Sequence, residues 1–402
     1  MSINRRSFAL GSLLFALSGC SSDDAPEGGI TIGLLLPFTG SASATASNME
    51  RATLYAADRI NKGGGIDGQK VRIVARDTHS DLVRGREAAE ELAAQGVVAI
   101  IGPESAEIAQ DIRPRLAAAG VLFLSPLIGA AEEPSRMCDT PWFRLAPSAK
   151  TLGEALAKQA NTKSVKRAAV LYSSSPYDRA LGASVAARFH TLGGEVALQL
   201  QLNPNAQSYA SVVSAAIDAG VTDVILAASP RAAAILINEF DALSREKPRW
   251  FLSPLLKTDL LVQNVAPQAL EAALGVAPKI YDHGDEFPLA FSKRWEGDQP
   301  LEGAYFYYDA MSLLALALAK VAADPSGKLT LNAAMLDAAG PPGEGVGWDE
   351  LDTALERLSE GDDLYYTGLT GPLSLENCGS RTGVGAAEDW TVREGVILDL
   401  AK

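Results

Sequence analysis

The side chains best suited to acid–base or metal chemistry are three scattered histidines, His79, His190 and His283. Their spacing matches no metal-binding pattern. The chain contains no Gly-x-Ser-x-Gly sequence, which would place a nucleophilic serine on a strand-to-helix turn. The paired acids Glu132-Glu133 are typical of a solvated turn. The sequence therefore offers no nucleophile–histidine–acid set, and it predicts a protein that is not an enzyme and uses neither a cofactor nor a metal.

Covalent chemistry is indicated at one residue, Cys20. Arg5-Arg6-Ser7-Phe8 opens an apolar stretch that runs from Phe8 to Leu17, and this pattern is typical of a signal peptide too short to span a membrane. The stretch ends in Leu17-Ser18-Gly19-Cys20, which resembles the lipobox of bacterial lipoproteins. That resemblance implies removal of residues 1–19 and lipidation of Cys20. The alternative is an ordinary secretory signal with a stray cysteine.

The N-terminal segment also leads to expectations about the export route and about attachment to the membrane. The arginine pair also resembles a twin-arginine export signal, which is a weaker pattern because paired arginines are common in basic leaders. Residues 20–29 are polar and contain Gly and Pro, so we predict a flexible tether. The lipid is then the only predicted membrane attachment, on the outer side of the cytoplasmic membrane or on the outer membrane.

The two other cysteines, Cys138 and Cys378, form an even pair in an oxidising compartment once Cys20 carries lipid. We predict a disulfide between them; two buried free thiols are the alternative.

Composition excludes global disorder and nucleic-acid binding. The 402 residues are 47% hydrophobic and 21% charged, which supports a packed core and excludes global disorder. Lys and Arg number 35 against 49 for Asp and Glu, a net charge of −14. Loss of the leader removes two arginines and no acid, which leaves −16. Nucleic-acid binding needs clustered basic charge, so it is excluded.

Strands and helices alternate from residue 30 onwards, and the strands are continuously apolar. We predict strands at Ile30–Leu36, Val71–Ala75, Val97–Ile101, Val121–Leu124, Ala168–Tyr172, Glu195–Leu202, Asp223–Ala227 and Trp250–Leu252. Such strands form parallel sheets covered by helices on both faces. Two series in one chain predict an α/β protein with two doubly wound lobes, and Phe143–Pro147 is predicted as the first crossover between them.

One segment carries a family resemblance. Asn61-Lys62-Gly63-Gly64-Gly65-Ile66-Asp67-Gly68, followed by Val71–Val74 and Asp77, resembles the signature of type I periplasmic binding proteins of the leucine/isoleucine/valine-binding kind. Further matches follow in the family's order, among them Ile100-Ile101-Gly102-Pro103, Tyr308-Asp309-Ala310 and Gly371-Pro372-Leu373.

The resemblance implies two Rossmann-like lobes joined by a three-stranded hinge. It places 30–145 with 278–369 in an N-terminal lobe and 146–277 with 370–402 in a C-terminal lobe. This mapping puts both Cys138 and Cys378 near hinge crossings.

Candidate ligand contacts lie in the loops that follow strands, where parallel α/β sheets bind ligands. They are Ser105, Ala106, Ile128, Gly129, Tyr177, Pro230, Leu255 and Tyr305. Alternatives stay open for three of them. Ser105 is equally typical of a helix N-cap, Tyr177 of a helix start and Tyr305 of core packing. Lys257 is either a ligand contact or a solvated loop charge.

The resemblance also implies a ligand set that this chain lacks. Amino-acid-binding members place a hydroxyl at Ala106, a Thr at Gly129 and an acid at Leu255. We therefore expect a neutral, cationic or substantially apolar ligand rather than an ordinary α-amino acid. The resemblance implies a solute receptor that delivers its ligand to the membrane subunits of an ABC permease. The alternative is an envelope lipoprotein that senses or activates a partner protein through the same fold.

Overall fold

The computed structural model of the chain describes residues 29–40, 42–128, 142–281, 285–375, 379–381 and 387–400. The strands are β1 Ile30–Leu36, β2 Val71–Asp77, β3 Ala99–Ile101, β4 Leu122–Ser125, β5 Phe143–Arg144, β6 Arg167–Ser173, β7 Glu195–Leu202, β8 Asp223–Ala227, β9 Arg249–Leu252, β10 Leu274–Pro278, β11 Glu344–Val346, β12 Leu364–Gly368, β13 Gly371–Pro372, β14 Ala387–Arg393 and β15 Val396–Asp399. The helices are α1 Ala46–Lys62, α2 Leu82–Ala94, α3 Ala106–Ala118, α4 Ala149–Thr162, α5 Pro176–Thr191, α6 Ala210–Asp218, α7 Pro230–Leu243, α8 Asp259–Gln263, α9 Pro267–Leu270, α10 Glu286–Arg294, α11 Glu302–Ala323, α12 Leu331–Asp337 and α13 Leu351–Glu360.

A five-stranded parallel sheet, in the order β2-β1-β3-β4-β5, forms the centre of the first lobe. Successive side chains of a strand point to opposite faces, so each buried strand serves two cores. Leu34 and Leu36 of β1 pack with α1 and α11, whereas Leu35 packs with α2 and α3. Helices α10 to α13 complete this lobe, and α12 and α13 bury their apolar faces in the core that contains α11.

A seven-stranded sheet, in the order β15-β14-β10-β9-β8-β6-β7, forms the centre of the second lobe. Five of its strands are parallel, and the antiparallel hairpin β14–β15 covers one edge. Val224 and Leu226 of β8 face α6 and α7, while Ile225 faces α4 and α5. Both sheets are therefore covered on two faces, which confirms the predicted α/β class with two lobes.

The chain passes between the lobes three times. It leaves the first sheet after β5, returns after β10 and passes back before β14. Helix α11 stands beside these crossings, and it alone among the described residues is long and apolar enough to cross a membrane. Since 78% of its apolar window is buried inside the protein, that apolarity is used in the core.

Asp309 of α11 fixes one of the crossings. Its carboxylate is fully buried and accepts hydrogen bonds from Leu369 N at 2.8 Å, from Thr370 N at 2.8 Å, from Thr370 Oγ1 at 2.7 Å and from the Tyr366 hydroxyl at 2.8 Å. Burial raises the pKa of Asp309, and these four donors act against that rise. The segment after β12 is thus held against α11 by one carboxylate.

Arg381 joins this crossing to the first one. Its guanidinium is buried and donates to the Leu145 carbonyl at 3.0 Å, to Thr370 Oγ1 at 3.1 Å and to the Pro372 carbonyl at 3.1 Å. The second crossing is connected to the same segment by the Tyr281 N–H group, which donates to the Leu369 carbonyl at 3.0 Å. Hydrogen bonds thus connect all three crossings to the segment Leu369–Thr370, which Asp309 holds.

Several elements differ from the sequence prediction, among them helices α8 and α9 and strands β11 and β12, which were not predicted. Helix α4, Ala149–Thr162, follows directly on the predicted crossover and was not predicted. Helix α12 was also missed. The short strands expected around Trp390–Leu398 form the hairpin β14–β15, in which Glu394 (φ 50°) and Gly395 (φ 73°) make the turn.

Replacing Asp309 with Asn should destabilise the protein. The amide keeps the shape of the carboxylate but turns an N–H group toward donors that are buried and need an acceptor. We expect the free energy of unfolding to fall by about 2–4 kcal/mol, measured by urea denaturation. Asp218→Asn, at an exposed position on α6, is the matched control, with an expected change within about 0.5 kcal/mol. Equal stability of the two variants would contradict the role given to Asp309.

Candidate functional site

A cavity of about 500 Å³ lies between the lobes. The first lobe lines it with Glu104, Ala106, Gln110, Arg113, Leu127, Ile128, Trp142, Arg144, Glu302 and Phe306, and the second lobe with Leu152, Ser175, Pro176, Tyr177, Pro254, Leu255 and Lys257. Ala146, Pro147 and Pro278, at the crossings, complete the lining. Apolar and aromatic side chains dominate, with a small number of polar groups, which is the composition of a small-molecule site.

The two lobes each contribute a loop at the end of a strand to the cavity wall. The loop after β3 leads into α3, and the loop after β6 leads into α5. Ser105 and Ser175 cap these helices by accepting hydrogen bonds from Ile108 N and Asp178 N. Gly102 makes the first loop possible, because its φ is +99° and a Cβ there would collide with the backbone of β1. The site therefore lies at the carboxyl ends of parallel strands.

Four of the predicted contacts line the cavity: Ala106, Ile128, Tyr177 and Leu255. Burial raises the pKa of the Tyr177 phenol, and the charge of Asp178 raises it further. The phenol therefore stays protonated at neutral pH and can donate a hydrogen bond to a bound molecule.

Three predicted contacts lie away from the lining. Ser105 acts as the N-cap of α3, the alternative left open above. Pro230 is the first residue of α7, behind its cap Ser229. Tyr305 packs against Phe287, with 5.1 Å between ring centroids. Helix α11 begins at Glu302, and Phe306 rather than Tyr305 is the aromatic residue that it contributes to the cavity lining.

Four further predictions lie outside the described residues. They are the ligand contact Gly129, the lipidation site Cys20 and the cysteine pair Cys138 and Cys378.

Lys257 is not a solvated loop charge. Its side chain is 18% exposed, and its ammonium lies 2.7 Å from both a Glu388 and an Asp399 carboxylate oxygen. Burial lowers the pKa of Lys257, but hydrogen bonds and charge from these two carboxylates outweigh burial and raise it. Across the cavity Glu302 faces this group. Burial raises the pKa of Glu302, and the charge of Lys257 partly opposes the rise.

Arg144 is held in place at the cavity wall. Its guanidinium stacks over the Trp142 ring, 4.7 Å from the centroid, and donates a hydrogen bond to Ser380 Oγ. The Trp142 indole in turn donates to Ser125 Oγ at 2.7 Å. This wall is rigid and flat, and sequence inspection missed it, because Trp142 stands just outside the predicted elements.

Glu104 has no such partners. Its Oε1 atom is buried without a hydrogen-bond partner, and desolvation raises its pKa to about 7. The hydroxyl of Tyr307, also buried and without a partner, is close enough that the Glu104 charge helps to raise its pKa. The cavity therefore contains a carboxyl group that changes charge near neutral pH.

Comparisons with known proteins agree on one family. The model of the family described as "Periplasmic binding protein" matches residues 29–349. The chain is 34% identical over 103 residues to the Leu/Ile/Val-binding protein BraC3 of Rhizobium johnstonii, a match that spans 26% of this chain and 28% of that relative's length.

Longer matches have lower identity. The substrate-binding protein BasB of a chemotactic signal transduction system in Halobacterium salinarum is 26% identical over 375 residues, covering 86% of this chain and 83% of BasB. The crystal structure of an ABC-transporter solute-binding protein from R. palustris in complex with benzoate superposes with a TM-score of 0.68 at 18% identity, covering 93% of this chain and 96% of that one.

The stability of a Glu104→Gln variant should depend on pH differently from that of the wild type. A carboxyl whose pKa rises from 4.5 to about 7 on folding binds its proton more tightly in the folded state. Wild-type stability therefore falls as pH rises through this window, and the neutral glutamine removes that loss. We expect the stability of E104Q relative to wild type to increase from pH 4.5 to pH 7 in thermal denaturation. Glu107→Gln, at an exposed position in the first turn of α3, serves as control, and an identical trend in both variants would refute the assignment.

Proposed function

The chain belongs to the periplasmic binding protein family, and on that premise we propose that it is a non-catalytic extracytoplasmic receptor, which captures a small molecule between its lobes and delivers it to an ABC permease. The observation that carries this proposal is the cavity of about 500 Å³ whose walls come from both lobes. A ligand that contacts both walls favours the closed arrangement by its differential affinity.

The residues in the cavity favour a ligand other than an ordinary α-amino acid. Ala106 and Leu255 offer no hydrogen-bonding side chain where amino-acid-binding members place a hydroxyl and an acid. Trp142, Phe306 and Tyr177 offer aromatic surface instead. The similar R. palustris protein binds benzoate, so this fold accommodates aromatic solutes. We propose a neutral, cationic or substantially apolar solute.

We propose that two parts of the chain move relative to each other when the lobes close. Residues 30–145 with 278–369 form one lobe, and residues 146–277 with 370–402 form the other. The crossings between them are the segments that Asp309 and Arg381 connect. A disulfide between Cys138 and Cys378 near these crossings remains part of the proposal.

Cys20 is proposed as the membrane anchor. The leader 1–19 is followed by the tether 20–29, which leaves the two lobes free to reach membrane subunits. Export by the twin-arginine route is proposed from Arg5-Arg6. Since one acyl chain gives only reversible membrane binding, more than one chain on Cys20 is needed for a stable anchor.

A second function uses the same ligand-binding step. BasB, similar over 86% of this chain, is named as part of a chemotactic system. In that case the closed form of an envelope lipoprotein would be read by a sensory or enzymatic partner instead of a permease. The two functions differ in the partner and share the cavity.

Purified full chain should carry or accept one small molecule per chain. Native mass spectrometry, compared with the mass after denaturation, measures this adduct. Ala106→Trp fills the cavity and should abolish the adduct, whereas Ala118→Trp, at an exposed position later on α3, should retain it. An adduct that survives Ala106→Trp, or the absence of any adduct after screening with solutes, argues against solute capture in this cavity.

Cys20→Ala should move the protein from the membrane fraction to the soluble fraction, because the acylated sulfur is lost. Metabolic labelling with a radioactive fatty acid and fractionation of the cells measure both effects. Cys138→Ala, which also removes one thiol, should keep the label. Labelling of the Cys20→Ala variant would show that the anchor lies elsewhere.

A further inference from the structure

Glu104 differs from every other charged side chain of the cavity in how its charge is balanced. Lys257 is paired with Glu388 and Asp399, and Glu302 faces Lys257. Arg144 is bound to Ser380 and Trp142, and Arg113 has an interaction of its own.

The buried Oε1 atom of Glu104 has no hydrogen-bond partner among the residues that the structure describes. Burial of this carboxyl is what raises its pKa. Tyr307 of α11, the group that feels the charge of Glu104, is itself protonated and neutral. A desolvated carboxyl without a donor is costly, and a ligand that brings a donor removes that cost.

The position of Glu104 is fixed by the backbone. It lies between Gly102, whose conformation excludes a side chain, and Ser105, which caps α3. The carboxyl therefore borders the cavity at the end of β3, beside the apolar surface of Ile128, Trp142 and Phe306. A molecule that fills this space places its apolar body on that surface and one polar group at Glu104.

We propose that Glu104 is the anchor for a cationic nitrogen of the ligand, and that the solute is an amine with an apolar, preferably aromatic, body. The inference rests on the proposed function, since it names the class of solute for the same cavity. An ammonium group supplies the donors and the charge that Glu104 lacks, whereas a carboxylate would meet it as a like charge.

The sign of the pH dependence follows. An ammonium binds the ionised form of Glu104, whose pKa is about 7. The ionised fraction rises from roughly a tenth at pH 6 to roughly nine-tenths at pH 8, so the affinity for an amine should rise about tenfold. An acid would show the opposite trend. Glu302 also lines the cavity with a pKa that burial raises, and the charge of Lys257 opposes this rise while the charges of Glu388 and Asp399 add to it, so the Glu302→Gln variant is measured alongside.

Matched probes test the proposal on the full chain. Phenethylamine, 2-phenylethanol and phenylacetate share one body and differ in charge, and 1-naphthylmethylamine with 1-naphthoate repeats the comparison at larger size. Calorimetry at pH 6 and pH 8 gives the dissociation constants. We expect the amines to bind best, more tightly at pH 8, and Glu104→Gln to weaken them about 10- to 100-fold and to remove the pH dependence. Glu107→Gln should have no effect, and Glu302→Gln a smaller one.

Each result decides the proposal. It is overturned if the acids bind better than the amines, if no amine binds, or if Glu104→Gln leaves amine affinity unchanged. In the case of acids that bind, solute capture stands and only the amine assignment falls. If neither probes nor a co-purified molecule occupy the cavity, the proposed function falls as well.

Discussion

A single buried carboxylate, that of Asp309, supports the arrangement of the two lobes. Two backbone amides and two hydroxyl groups converge on it, and Arg381 adds a second set of bonds between the same crossing segments. Because buried polar groups are costly when unpaired, any motion at the crossings must keep this cluster together. The cluster therefore holds the three crossing segments together beside the cavity.

The second constraint is the polarity of the parallel strands. Each β–α unit ends its strand and begins its helix on the same side of its sheet, so the capped loops after β3 and β6 occupy that side. Ser105 and Ser175 perform the same capping role in the two lobes and so leave their neighbours, Glu104 and Tyr177, at the cavity. The site is thus assembled from two equivalent turns, one in each lobe, and the chemistry differs because the residues beside the caps differ.

These relations explain which features could be predicted. Strands Ile30–Leu36 and Asp223–Ala227 match their predicted bounds, because each is an apolar run next to turn residues. Glu195–Leu202 also matches, because its apolar and polar residues alternate after the turn residues Gly193-Gly194. Helix α4 was missed because its apolar positions are filled largely by alanine, with few large side chains. Tyr305 was predicted as a ligand contact in place of Phe306, because four aromatic residues stand in a row from Tyr305 to Tyr308 and the sequence alone does not show which of them faces the cavity. The lack of a partner at Glu104 could not be predicted, since it depends on segments that are distant in sequence.

Glu104 shows how such a cavity can discriminate without making many hydrogen bonds. Hydrophobic contacts with Trp142 and Phe306 scarcely distinguish two ligands of equal shape, because the transfer free energy follows area. A desolvated carboxyl distinguishes them strongly, since a ligand without a donor leaves the group unpaired inside the closed cavity. Specificity then comes mainly from the penalty imposed on wrong ligands. Because that penalty is greatest when the cavity excludes water, the role proposed for Glu104 would also tie recognition to closure of the lobes.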